Sequence, residues 1–146
     1  MKKYMPIFLA VFIGIVFGNL IFSSYKTEEV MASYGNVYML QYGAYTEKEV
    51  LEESIKKLEK DSYIVVLENN IYYLYLGITT DYFNALNIQK IYDNKNIFLY
   101  IKQHYIGNSL LINEIKKSDD LIKNFGSSKE IIDEQKKILA FYENFM

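Results

Sequence analysis

Two stretches of this chain match each other at an offset of 34 residues: Val37, Tyr38, Leu40, Gly43, Thr46 and Glu47 fall on Ile71, Tyr72, Leu74, Gly77, Thr80 and Asp81. Each copy opens with an aromatic and β-branched run of the kind that suits a half-buried strand, and each run is followed by a helix start. In the first copy, Val37 to Gly43 reads as the strand. Thr46 and Glu49 then have capping-box spacing ahead of a helix running to about Lys60. That helix carries Val50, Leu51, Ile55 and Leu58 on one face and Glu52, Glu53, Lys56, Lys57 and Lys60 largely on the other. Only two copies occur and both begin with a strand, so the repeat does not describe a helical solenoid.

Two further strand candidates, Tyr63 to Leu67 and Ile97 to Lys102, lie between and after the copies, and Glu68-Asn69-Asn70 supplies a turn that joins the second and third strands in a hairpin. The predicted order is βαββαβ. With both helices on one face of a four-stranded antiparallel sheet, this is an α+β, ferredoxin-like sandwich over residues 37–103. Residues 108–146 read as a C-terminal helical hairpin. Leu111, Ile115, Ser118, Ile122 and Phe125 keep a three-four spacing, Gly126 is placed to stop that helix, and Ser127 with Glu130 caps a last helix. This last helix bears Ile131, Ile132, Ile138, Leu139, Tyr142 and Phe145, an apolar stripe that must be hidden against the domain, its partner helix or another protein.

Tyr4 to Phe22 holds no charge over 19 residues, about 28 Å of helix and close to the hydrocarbon thickness of a bilayer. Lys2 and Lys3 precede it, whereas Lys26 is followed at once by Glu28 and Glu29. The positive-inside rule then puts residues 1–3 in the cytoplasm, a single-pass signal anchor at 4–22, and the body of the chain outside. A cleaved signal peptide is the alternative, with Ser23 and Ser24 as small residues at a cleavage site. Residues 23–36 form a polar linker reaching at most about 50 Å, so the domain stays near the membrane.

The net charge of −2 provides no basic footprint, which argues against nucleic acid as a partner. The absence of Cys removes disulfides, thiolate metal sites and cysteine nucleophiles together. The single histidine, His104, has no Ser, Asp or Glu pattern around it that marks a triad, and reads as a solvated loop residue just past the last strand. Glu47, Glu49, Glu52 and Glu53 lie on a helix among Lys neighbours, a solvated face and not paired catalytic acids. No Gly-rich phosphate loop and no His-Glu-x-x-His occurs. The reading is of a non-enzymatic protein without cofactor or metal.

The run Leu40-Gln41-Tyr42-Gly43-Ala44-Tyr45 followed by an acidic helix from Thr46, and Tyr72-Tyr73-Leu74-Tyr75-Leu76-Gly77 opening the second copy, resemble the two half-motifs of SPOR domains. The resemblance covers roughly residues 36–103. It implies a bacterial cell-envelope module that binds peptidoglycan glycan strands and brings its host protein to division or sporulation sites. The chain departs from the family in having Ile78 and Thr79 after the second Gly, and Tyr73 where Arg commonly projects from the third strand.

Strand alternation places Tyr38, Leu40 and Tyr42 on one face and Val37, Met39 and Gln41 on the other; the resemblance implies that the Gln41 side points away from the helices, which puts Tyr72, Leu74 and Leu76 beneath them and turns Tyr73 and Tyr75 outward beside Gln41. With the resemblance, Gln41, Tyr73 and Tyr75 become the candidate glycan contacts, because sugar C–H faces lie on aromatic rings while hydroxyls pair with amides and phenols. Two alternatives stand: an exposed aromatic platform for glycan, or an aromatic face covered by the hairpin in an envelope scaffold that binds another protein. An apolar patch along Ile131 to Phe145 is the expected mark of the second.

Overall fold

The computed structural model describes residues 35–146, and Gly35–Met146 forms a compact unit with its own core. The expected N-terminal segments, at 1–3 and 4–22 and most of 23–36, lie outside the described residues. Among the described residues no helix is long and apolar enough to cross a membrane.

The elements run β1 (Asn36–Tyr45), α1 (Lys48–Lys57), β2 (Ile64–Glu68), β3 (Ile71–Thr79), α2 (Tyr82–Asp93), β4 (Tyr100–Tyr105), α3 (Ser109–Ile122) and α4 (Ser128–Glu143). One four-stranded sheet in the order β2-β3-β1-β4, antiparallel at every pairing, holds them together. The protein is α+β, and its first six elements are compatible with a ferredoxin-like fold. The β2–β3 turn is set by Asn69 and Asn70, at φ 51° and 62°. Two successive left-handed residues match the twist of the flanking strands, and Asn tolerates that region better than most residues.

Several local expectations shift. β1 continues through Gly43 to Tyr45 instead of ending at the glycine. A Cβ at Gly43 would meet the Tyr45 ring, with Cζ at 2.5 Å, so Gly43 is what lets that ring lie back along its own strand. α1 starts one residue after Glu47, whose side chain makes no capping bond, so the Thr46–Glu49 capping box does not form. Helix α1 buries Leu51 and Ser54, its C-cap Leu58 is buried as well, and Val50 is left 45% exposed. β4 lies three residues later than Ile97–Lys102, because Ile97 N–H is held by the Tyr92 carbonyl at the end of α2. Gly126 has no left-handed backbone, and α3 ends before it with Lys123 as its C-cap. Ser127 and Glu130 do form the predicted capping box of α4.

The core has two halves. Leu40, Leu74, Leu76, Ala85, Ile88 and Tyr92 form one with α1 and α2; Val37, Met39, Ile64, Tyr75 and Ile78 form the other with Leu111, Ile112, Ile115, Ile138 and Leu139 of the hairpin. The sheet is therefore covered on both faces. β3 shows this most fully, with every residue from Leu74 to Thr79 buried. A strand sandwiched on both sides has no polar face to alternate with, which is why Leu74-Tyr75-Leu76-Gly77-Ile78 reads as an unbroken apolar run. The hairpin's closed end, at Ile122, Phe125 and Ile131, reaches the first half of the core beside α2.

Candidate functional site

Gln41, Tyr73 and Tyr75 do share one face of the sheet. Gln41 stands opposite Tyr75 across the β1–β3 ladder, and the Tyr73 and Tyr75 rings stack with centroids 6.3 Å apart and an interplanar angle of 18°. That face is not open. Helices α3 and α4 lie over it, leaving Tyr75 2% exposed among Ile112, Ile115 and Leu139 and Tyr73 half-buried. The outward, solvent-facing position expected for Tyr75 is thus corrected: once the apolar stripes of two helices need a surface, the uncharged β1–β3 face is the one on offer. Burial pushes the Tyr75 phenol up to about 12, so it stays protonated at neutral pH.

His104 is no loop residue. It sits within β4 opposite Val37, half-buried, and its Nε2 is 3.2 Å from the Tyr75 hydroxyl with the two rings edge to face at 5.7 Å. With the phenol donating, the imidazole nitrogen satisfies the one polar atom that Tyr75 carries into the core.

Buried polar groups fasten the hairpin to the sheet. Asp119 of α3 is 3% exposed and accepts hydrogen bonds from the Thr80 N–H and Thr80 hydroxyl, both at 2.7 Å, from the Thr79 hydroxyl and from Asn84 Nδ2 at 3.2 Å. Four donors converge on one carboxylate, which is what a buried anion without a buried cation requires. Beside it, Asp81 caps α2 through the Phe83 and Asn84 N–H groups and pairs with Lys123 at 2.9 Å. The Lys123 ammonium, followed by these capping amides, holds the Asp81 carboxyl below its usual range. From α4, the fully buried Gln135 accepts the Ile78 N–H at 2.8 Å through its Oε1. β2 accompanies β3 only as far as Tyr75, so Gln135 provides an acceptor where no second strand does. Gly77 makes room for this, since a Cβ there would sit 2.9 Å from Leu40 and 3.1 Å from Gln135 Oε1.

The hairpin does not carry an apolar patch outward. Ile131, Ile138 and Leu139 are buried, so the patch expected along Ile131 to Phe145 is largely used inward, with Phe145 left 44% exposed near the chain end. Open apolar surface lies instead around the free edge of the sheet. The hairpin stops short of β4, where Tyr100 is 64% exposed opposite the half-buried Gln41, with Lys102 exposed on the same face. On the other side, Phe83 (80% exposed) and Leu86 follow three-residue spacing on α2 toward Gln89, whose Nε2 donates to the Leu99 carbonyl beside Phe98. Sequence reasoning missed this edge because exposed aromatics in a strand read as core until the neighbour that fails to cover them is known. Among the described residues no group of three or more His, Asp or Glu side chains is placed to hold a metal ion. No protein-family model, curated protein or solved structure matches the chain.

Proposed function

We propose that this chain is a membrane-anchored, extracytoplasmic module of the bacterial cell envelope, with a SPOR-like, ferredoxin-like core, that holds a partner protein and not a glycan strand. One observation carries this: the hairpin fills the aromatic sheet face, so Tyr75 has no surface to offer a ligand. The uncovered aromatics at the β4 edge, Phe98 and Tyr100, with Phe83 on α2, are the partner surface in this reading. Aromatic side chains supply large contact area at small entropic cost, and an unpaired strand edge adds main-chain donors and acceptors. A photo-crosslinking side chain at position 83, 98 or 100 of the full chain in native membranes should give a discrete protein adduct, and one at Lys117 on the outer side of α3 should not. Equal adducts from all four positions, or none from the edge, would sink the reading.

A second reading rests on the strip that the hairpin leaves open. Gln41, Tyr100 and Lys102 still place an amide, a ring and an ammonium on one face of the sheet, a set that suits a glycan strand of peptidoglycan. Pelleting with peptidoglycan sacculi that is lost in Gln41→Ala and Tyr100→Ala would favour this reading; sacculi binding unaffected by either change would remove it.

A further inference from the structure

Among the described residues β4 pairs with β1 alone, in unbroken register from Asn36–Tyr105 to Gln41–Tyr100. An edge strand leaves every second residue's N–H and C=O without a strand to bond, and proteins usually guard such a row with Pro, a bulge or charges. From Tyr100 to Tyr105 there is no Pro and no register shift, and Lys102 is the one Lys, Asp or Glu.

Which main-chain groups face outward follows from a single bond. The Ile106 N–H donates to the Gly35 carbonyl at 2.7 Å, which carries the β1–β4 register one pair further and makes Gly35–Ile106 a hydrogen-bonded pair. In an antiparallel ladder such pairs alternate with non-bonded ones. His104, Lys102 and Tyr100 therefore turn their main-chain groups toward β1, and Tyr105, Gln103 and Ile101 turn theirs to the open side.

This outward row is complementary to itself. A second copy running antiparallel about a twofold axis normal to the sheet keeps each face on its own side, so only residues two, four or more apart, or the same residue, stand opposite one another. With the axis at Gln103, Gln103 meets Gln103, Ile101 meets Tyr105 of the other copy, and all three outward residues exchange both main-chain bonds. An axis at Lys102 would pair only Ile101 with Gln103 and set two ammoniums face to face, and an axis at His104 would leave Ile101 unused. On the α1/α2 side, the Gln103 register seats Tyr105, 68% exposed, against the half-buried Ile101 of the other copy. On the hairpin side it sets Lys102 across from His104 and not from another Lys. The twofold pairing is also closed, whereas β4 laid on β2 would add copies without limit.

We propose that β4 pairs with β4 of a second copy of this chain, joining two sheets edge to edge with Gln103 on the twofold axis. This rests on the reading of the β4 edge as a partner surface and names the partner. The chain has no Cys, so single introduced thiols report on proximity without a background. In proteoliposomes of the full chain under mild oxidation, Gln103→Cys should form a disulfide-linked dimer about tenfold faster than Tyr100→Cys, because the Cα atoms lie about 5.5 Å apart at Gln103 and about 20 Å apart at Tyr100. Ile101→Cys and Tyr105→Cys should crosslink when mixed and not singly. Gln103→Pro, added to both chains of that mixture, removes the central donors without touching a bond to β1, and should slow the crosslink about tenfold with the far-ultraviolet circular dichroism unchanged. A Gln103→Cys rate no higher than that of Tyr100→Cys, a mixture no faster than its components, or a rate unmoved by Gln103→Pro would overturn the pairing. If the disulfide is absent while photo-adducts from position 98 or 100 have the mass of a different protein, the pairing falls and the partner-protein reading stands; if both are absent, both fall.

Discussion

Gln41 of β1 and Tyr75 of β3 stand opposite each other at the centre of an internal twofold relation. Shifting one copy of the repeat by 34 positions and exchanging the strands carries the pair Leu40–Gly77 into Gly43–Leu74, Met39–Ile78 into Ala44–Tyr73, and Tyr38–Thr79 into Tyr45–Tyr72. Gln41–Tyr75 maps onto itself. The two residues that the ladder skips, Tyr42 and Leu76, are also 34 apart, so the two register shifts are mates of one another. The helix caps Glu47 and Asp81 obey the same relation. The sequence repeat is thus a structural twofold through the middle of the sheet, and the hairpin, which has no counterpart in the other half, breaks it by covering one face.

Replacing Gln135 by Met keeps the approximate volume and removes the acceptor of the Ile78 N–H. The cost expected from an orphaned buried amide is about 1–3 kcal/mol. Urea unfolding of Gly35–Met146 measures it, and hydrogen exchange at the Ile78 amide should speed up beyond the global change. A loss below about 0.5 kcal/mol would mean that the amide finds another acceptor.

Asp119→Ala removes the carboxylate shared by the Thr79 and Thr80 hydroxyls, the Thr80 N–H and the Asn84 amide, leaving Asn84 only the main-chain carbonyl of residue 119 and the Thr79 hydroxyl only the Asp81 carbonyl. Hydrogen bonds to a charged group contribute about 1.5–3 kcal/mol each by mutation, and since these four share one carboxylate their loss is not additive. A destabilisation of about 3 kcal/mol or more is expected in denaturant titration. Asp119→Asn, which retains one acceptor oxygen, should cost less, and the reverse order would contradict the geometry.

For Tyr75 the two halves of the side chain separate cleanly. Tyr75→Phe removes only the hydroxyl that meets His104 and should cost about 0.5–1.5 kcal/mol, whereas Tyr75→Ala opens a cavity under the hairpin worth about 3–5 kcal/mol. If Tyr75→Ala were nearly neutral, the hairpin would not be seated on the sheet in solution.

The Asp81–Lys123 pair gives stability a pH dependence of definite sign. The folded Asp81 carboxyl lies below its unfolded value near 3.9, so its contribution is complete above that value and is lost as pH falls through the folded one. Lys123, raised by the same partner, loses its contribution as pH rises through its own elevated value. The urea midpoint of Lys123→Gln should therefore fall below that of the native chain at pH 6, and the two should converge as the pH drops well under 3.9. A gap that persists in acid would assign the difference to something other than this ion pair.

The order of strands and helices, the Asn69-Asn70 turn and the Ser127–Glu130 capping box were legible in the sequence because each depends on residues within a few positions of one another, and the repeat was legible because the chain matches itself at an offset of 34. The assignment of side chains to faces was legible too: Tyr38 and Leu40 lie on the α1/α2 side and Val37 and Met39 on the other. Tertiary structure alone decided which surfaces meet. An alternating strand specifies two faces without saying what covers either, and the apolar stripe of α4 fits a partner protein or its own sheet equally well until Gln135 and Asp119 find Ile78, Thr79 and Thr80. The same contacts decided that Tyr75 is core and Tyr100 is surface, because burial is set by the sum of non-local neighbours and not by the residue or its period.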